Sequence, residues 1–454
     1  MDFLNELIVK INGFLSDIIL IVSLLGCGSF FTIKTKGVQF RELGNAFRLT
    51  FKDVFKKNEK GISSFSALAV AIAAQVGTGN VAGVATAIIA GGPGAIFWMW
   101  LAAILGMSTI FAEAILAQSY REIDENGHYY GGPSFYLKNG LGKKYPKLGR
   151  TLAGIFSVLI IIALGFIGNM VQSNSIATAI ESSFNISTYI SGIIIALIGA
   201  FIFIGGIKRI AKFAQLIVPF MAIIYIGLSL IIIFKFKENI FPTIKLIFES
   251  AFNPKAALGG GLGITLKAAI SKGVGRGLFS NEAGMGSTPH AHATAHVAHP
   301  AIQGFSAMVG VFFDTIIVCT ATSLIILVTG AESSGLNGAL VTQFAFTKAF
   351  GHYGGALLTI CLTFFAFSTI IGWYYFGETN VIYLFGKEKL NIYRFLVMAF
   401  IIIGSSQSID LVWNLADFFN SLMVVPNIIG LIMLNKIVLA SYDDYKNNFV
   451  LKAR

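Results

Sequence analysis

The residues able to do chemistry lie in four stretches of an otherwise apolar chain. The first is Ala73 to Asn80, AAQVGTGN, in a region with no charged side chain from Lys60 to Glu113. Glycine loses the most backbone freedom on ordering. Gly77 and Gly79 beside Gln75, Thr78 and Asn80 therefore predict a helix that stops halfway. An interrupted helix leaves N–H groups unpaired at the start of its second half and carbonyls unpaired at the end of its first. The N–H groups around Thr78, Gly79 and Asn80 suit a carboxylate. The carbonyls of Ala73, Gln75 and Val76 suit a cation or an ammonium group. The alternative at this point is a small-residue face for a close helix neighbour.

The second stretch is 151–180, where Gly165, Asn169, Gln172 and Ile176 share one helical face and Phe166, Met170 and Ser173 line the next row. Buried amides need partners, so this face should meet a ligand or act as glue to another helix. The third is ALGGGLGITLKAAISKGVGRGLFS, 257–280, with glycines at 273, 275 and 277 beside Lys272 and Arg276. Three alternating glycines predict a second interruption near mid-membrane, offering carbonyls near Lys272, Gly273 and Gly275. The fourth is PHAHATAHVAHP, whose His290, His292, His296 and His299 could hold a metal and make the chain a membrane metalloenzyme. The acid of an H-E-x-x-H motif is missing, so a gating or structural role is expected and no catalytic residue is assigned. Glu113 and Asp314 are intramembrane acids without an assigned task; Glu282 is expected to pair with Arg276 or Lys272.

The elements that must position these groups are membrane helices. Soluble domains carry about 25% charged residues; these 454 residues carry 12%, with 55% hydrophobic and a mean hydropathy of +0.77. This predicts an all-α polytopic membrane protein in the cell membrane, with the lipid bilayer as its surroundings. It excludes a globular enzyme on one anchor. MDFLNELIVK begins with acids, so no signal peptide is expected. Cys27, Cys319 and Cys361 have no metal-ligand spacing.

Eleven apolar segments are read near 14–33, 66–90, 95–118, 151–180, 189–206, 213–234, 257–280, 303–329, 355–384, 394–409 and 412–435. The net charge of +11 is placed for topology, not for nucleic acid: 24 basic residues fall in alternate connections and the tail, against six on the opposite side. The positive-inside rule then puts the N-terminus outside and the C-terminus in the cytoplasm.

The expected organisation is an extra N-terminal helix, 1–33, then a cytoplasmic connection, 34–65, with a surface amphipathic helix. A first repeat, 66–235, is followed by an extracellular connection, 236–256. A second, 257–435, precedes a cytoplasmic tail, 436–454. Each repeat has five segments and begins with a broken helix, and the odd number inverts the second against the first. Interrupted segments at matching places in inverted halves point to a secondary transporter's central site, which favours interruption over a packing face.

GTGNVAGVATAIIAGGPGAIFWMW (77–100), GGPSFYLKNGLG (131–142) and GRGLFSNEAGMGSTPHAHATA (275–295) resemble the blocks of the alanine/glycine:cation symporters, also called sodium:alanine symporters. VGTGN (76–80) is similar to a run in the first core helix of LeuT-type amino-acid transporters. The resemblance implies a LeuT-type 5+5 inverted repeat plus one helix. It implies no enzymatic cofactor, Na+ as coupling ion, and L-alanine, glycine and in some members D-alanine as cargo. A zwitterion fits between the two breaks, with Gln75, Gly77, Thr78, Gly79, Asn80, Gln172, Gly273 and Gly275 around it. Ser368 and Thr369 resemble the fold's sodium-binding pair, which would place one Na+ with them and the carbonyls of Ala73, Val76 and Phe365. Thr369 and Trp373 lie one turn apart; Trp373, Phe166 and Met170 would cap the side-chain pocket. Proton coupling through Asp314 or Glu113 is the alternative drive.

Overall fold

The computed structural model describes residues 10–52, 62–125, 127–253 and 265–449. Residues 1–9, Val54, Phe55 and Lys56 of the amphipathic stretch, the opening of the 257–280 segment and the last five residues of the tail lie outside them. Helix α1 is Lys10–Lys34 and α2 is Leu43–Lys52. A bent pair follows, α3 (Ser64–Gln75) and α4 (Gly79–Gly91), inclined by 49°. Then come α5 (Ala95–Ser119), α6 (Pro146–Phe184), α7 (Thr188–Phe203), α8 (Gly206–Lys235) and α9 (Ile240–Phe252). The second half holds α10 (Leu266–Asn281), α11 (Pro289–Ala293), α12 (Pro300–Val328), α13 (Ala339–Phe350), α14 (Gly354–Phe385), α15 (Leu390–Ser405), α16 (Ile409–Met433) and α17 (Asn435–Asp444).

Over the described residues each of the eleven apolar segments overlaps a helix, the 66–90 segment as the bent pair and the 257–280 segment from Leu266 onward. Among the described residues seven helices are long and apolar enough to cross a membrane, and the bent pair makes an eighth. The helices α7, α10 and α15 have 16 described residues each, so length alone does not fix the count at eleven.

Local chemistry sets the helix starts. The Ser63 hydroxyl caps α3 by accepting from Ser66 N at 3.0 Å, and Thr265 caps α10 through Ala268 N at 3.1 Å. His299 Nδ1 accepts from Ala301 N at 3.1 Å, with Pro300 in the first turn of α12. The apolar residues facing outward from α7 and α8, among them Phe201, Leu216, Ile223 and Phe234, are exposed, as lipid-facing side chains are. At the centre runs α14, which is buried almost continuously from Phe365 to Val381.

The second interruption is not where the glycine run places it. Helix α10 continues through Gly273, Gly275 and Gly277 to Asn281. Gly273 and Gly277 are four apart and face α5: a Cβ on Gly273 would overlap Ala95 O, and one on Gly277 would come within 3.2 Å of Met99 Cγ. The missing side chains let two backbones meet, which offsets their weak helix propensity of about 1 kcal/mol each. The carbonyls of Gly273 and Gly275 therefore serve a continuous helix and are not ligands at a break. The chain breaks at Glu282–Thr288, where Glu282 (φ 58°), Gly284 (φ 92°) and Gly286 (φ 82°) turn left-handed.

Candidate functional site

The first break begins at Val76, whose extended backbone (ψ 91°) ends α3. Ser368 and Thr369 on α14 lie against it. Ser368 Oγ is 3.1 Å from Ala73 O and 2.8 Å from Phe365 O. Thr369 Oγ1 is 3.1 Å from Ala73 O, 3.3 Å from Val76 O and 3.2 Å from Phe365 O. Five uncharged oxygens thus converge. A hard cation held at about 2.3–2.6 Å in an octahedral shell spaces neighbouring oxygens by about 3.3–3.7 Å. The donor set fits a small hard cation with an outward shift of a few tenths of an ångström. The two hydroxyls have one proton each, too few for all five contacts at once.

The N–H groups of the break are held by side-chain amides. Gly77 N donates to Asn80 Oδ1 at 2.8 Å, and Thr78 N to Gln172 Oε1 at 3.0 Å. Both N–H groups thus find their acceptors in side-chain amide oxygens. Several polar atoms here are buried and unpartnered: Gln75 Oε1, Thr78 Oγ1, Asn169 Oδ1 and Gln172 Nε2. Such atoms are costly unless a ligand or water meets them. Gln75 Nε2 reaches across to Asn281 O at 2.7 Å, tying the first break to the end of α10. Gly77 is required by closeness, since a Cβ there would overlap Thr369 Oγ1 and come within 3.0 Å of Gln172 Oε1. Gly79 abuts Ser280 in the same way, at 3.0 Å.

The candidate pocket wall divides. Trp373 is buried in the centre, its Nε1–H donating to Glu282 Oε1 at 2.6 Å and its ring edge-on to Phe279 at 5.5 Å. Phe166 instead stacks on Phe400 of α15 at 4.8 Å, and Met170 packs on Gly404 of the same helix. These two face α15, a neighbour that helical periodicity alone does not identify.

Three acids surround the second break. Glu113 on α5 accepts from Gly284 N at 3.1 Å, Gly286 N at 3.0 Å and Asn427 Nδ2 at 2.6 Å. Asp314 on α12 accepts from Asn80 Nδ2 at 2.6 Å, Ser280 Oγ at 2.8 Å and Thr315 Oγ1 at 2.7 Å. Glu282 takes Trp373 and the Ser287 hydroxyl, not Arg276 or Lys272. Arg276 makes a two-pronged ion pair with Asp417 of α16 at 2.5 and 2.9 Å, with its guanidinium 4.3 Å from the Trp413 ring. The pair borders a water-sized cavity of about 20 Å³ with Lys272, Phe279 and Asn420.

The histidines part company. His290 joins Ser287 O at 2.7 Å and Asn380 of α14 at 2.8 Å. His292 meets Gln303 at 2.8 Å, and Gln303 in turn donates to Ser64 Oγ at 2.6 Å. His296 stacks on Tyr129 and its N–H donates to Ile62 O at 2.9 Å, while His299 reaches Asp444 at 3.2 Å. Among the described residues no group of three His, Cys, Asp or Glu side chains is placed to hold a metal. The run is a set of tethers binding the end of the second break to α3, α12 and α14.

Sequence reasoning passed over Gly168 and Ser280, and gave Glu113, Glu282 and Asp314 no place at the site. The acids stood out as charges in apolar cover; Trp373, Gly284 and Asn80, which meet Glu282, Glu113 and Asp314, lie 91, 171 and 234 positions away and leave no local trace.

The model of the sodium:alanine symporter family matches residues 1–453. The chain is 43% identical over 456 residues to the sodium/alanine symporter AgcS of Methanococcus maripaludis, covering 99% of each chain. It is 41% identical over 447 residues to the probable sodium/glutamine symporter GlnT of Bacillus subtilis, covering 98% of this chain and 91% of that one. Among solved structures it is similar to MhsT in complex with L-phenylalanine, at TM-score 0.59 and 15% identity, over 83% of this chain and 90% of that one. A mutant manganese transporter of Eremococcus coleocola gives TM-score 0.57 at 14% identity, over 82% and 78%. These likenesses establish the LeuT-type fold.

Proposed function

The chain belongs to the sodium:alanine symporter family, a family of membrane transporters and not enzymes, and from that premise we propose sodium-coupled uptake of small neutral amino acids. L-Alanine and glycine are the expected cargo, with D-alanine accepted if the pocket is indifferent to the hand of a methyl group. The observation that carries this reading is the convergence of Ala73 O, Val76 O, Phe365 O, Ser368 Oγ and Thr369 Oγ1 at the first break. Na+ held there would bridge α3 and α14. The substrate carboxylate would take the N–H groups of Gly77 and Thr78, displacing Asn80 Oδ1 and Gln172 Oε1.

Relatives of similar identity are named for alanine and for glutamine, so kinship does not choose the side chain. The buried Trp373 indole, one turn of about 5.4 Å along α14 from Thr369, favours the small one. In this scheme 66–235 and 257–435 act as inverted repeats that rock about the site. The N-terminus lies outside and the C-terminus in the cytoplasm. Inward movement of one Na+ contributes about 2.3 kcal/mol per 100 mV.

Uptake of labelled alanine into proteoliposomes is expected to rise steeply with an inward sodium gradient. Equal rates with and without the gradient reject sodium coupling. A proton-driven second reading draws support from Asp314, which is fully buried and has no ion-pair partner among the described residues. Uptake driven by a proton gradient without sodium would favour it.

A further inference from the structure

Glu282 has no part in that scheme, although a carboxylate at this depth is an expensive side chain to keep. We propose that Glu282 is a positioning residue that sets the size limit for the substrate by pinning the Trp373 indole; the inference rests on the reading of Trp373 as the pocket wall.

The geometry is specific. Both residues are buried, Glu282 completely and Trp373 to within 1%. Oε1 accepts from Trp373 Nε1–H at 2.6 Å, while the other oxygen accepts from the Ser287 hydroxyl. The carboxylate therefore spans the second break from its first residue to its sixth and holds α14 at the same time. Its own backbone is fixed in the left-handed region at φ 58°, by Glu282 N on Leu278 O at 2.8 Å and Met285 N on Glu282 O at 3.0 Å.

The indole is confined on its other sides. At Gly168 a Cβ would lie 2.5 Å from the ring atoms Cε3 and Cζ3, so the ring rests on bare α6 backbone. Phe279 meets it edge-on, and Phe279 in turn lies 4.7 Å from Trp413, whose ring faces the Arg276 guanidinium. The Nε1–H is the polar handle of an otherwise apolar side chain, and Glu282 is its acceptor. Without that acceptor the buried N–H is left unpaired, which drives the ring to shift against these neighbours toward another partner, and a shifted ring enlarges the space one turn from Thr369.

The test measures selectivity. In proteoliposomes the wild-type protein is expected to carry alanine and to be inhibited poorly by valine, methionine and leucine. Glu282→Ala should lower the concentration at which these larger amino acids compete by at least about tenfold, the low end of what one methylene is worth in a fitted pocket. Alanine uptake should fall less. Glu282→Gln keeps an oxygen for the indole and should restore the wild-type ranking. Trp373→Phe, which removes the donor, should reproduce the Glu282→Ala ranking, and the double variant should go no further than either single one.

A Glu282→Ala protein with slower alanine uptake and an unchanged ranking overturns the proposal, as do single effects that multiply in the double variant. A substrate-independent arm uses protein with Trp98, Trp100 and Trp413 replaced by Phe. There Glu282→Ala should shift Trp373 emission to longer wavelength and open it to acrylamide quenching, and unchanged emission overturns the pin. Absence of alanine uptake by the wild type would reject the proposed function alone, and the emission arm would still decide this one.

Discussion

At the scale of single residues, the site is governed by how closely backbone and side chain approach at Gly77. Gly77→Ala places a methyl against Thr369 Oγ1 and Gln172 Oε1. Sodium-dependent uptake is expected to drop at least about tenfold while the protein still purifies as a monodisperse species, which size-exclusion chromatography and an uptake assay check together. Thr369→Ala removes an oxygen that touches three carbonyls. A hydrogen-bonding group of this kind is worth about 1–1.5 kcal/mol, so half-maximal uptake should need roughly tenfold more sodium. Much of this was legible in the chain, because glycine, amide and hydroxyl side chains inside apolar cover have few other uses. Phe166 and Met170 were not, because helical spacing defines a face and not the neighbour it meets; that neighbour is α15.

At the scale of elements, the second break is shaped by Glu113 from another helix. Its carboxylate gathers Gly284 N, Gly286 N and the Asn427 amide. Replacing it with alanine leaves two buried N–H groups without an acceptor, at about 1–3 kcal/mol each. Thermal unfolding in detergent should register a loss of about 2–6 kcal/mol, with Glu113→Gln falling between that and the wild type. Asp417→Ala isolates the Arg276 guanidinium; since Asp417 is partly exposed, the expected loss is about 3 kcal/mol, the low end for a broken buried pair. That each half opens with a broken helix could be read from glycine content, but the place of the second break could not. The alternating run at 273–277 reads as a helix breaker by propensity, yet its i, i+4 pair is what a helix needs to lie against α5. The true break at 282–288 hides behind an acid with φ 58°, a conformation that residue type alone does not announce.

At the scale of the whole molecule, the proposed orientation is open to direct labelling. Cys27, Cys319 and Cys361 are buried, so the background is low. A cysteine introduced at Lys245 should react with an impermeant maleimide on intact cells, and one at Asp443 only after the membrane is opened; the reverse pattern would turn the topology over. The general architecture was written in hydropathy. The tie from α14 to the end of the second break through Asn380 and His290 was not, because it depends on a contact between remote segments. Helix α14 runs 32 residues without a break and carries Ser368 and Thr369, then Trp373, then Asn380, which holds His290. On the proposed reading, fuel and freight are recognised along this one stiff spindle. A substitution that rotates or slides it by a fraction of a turn alters both together, so adaptation to a bulkier nutrient should carry a change in salt requirement with it.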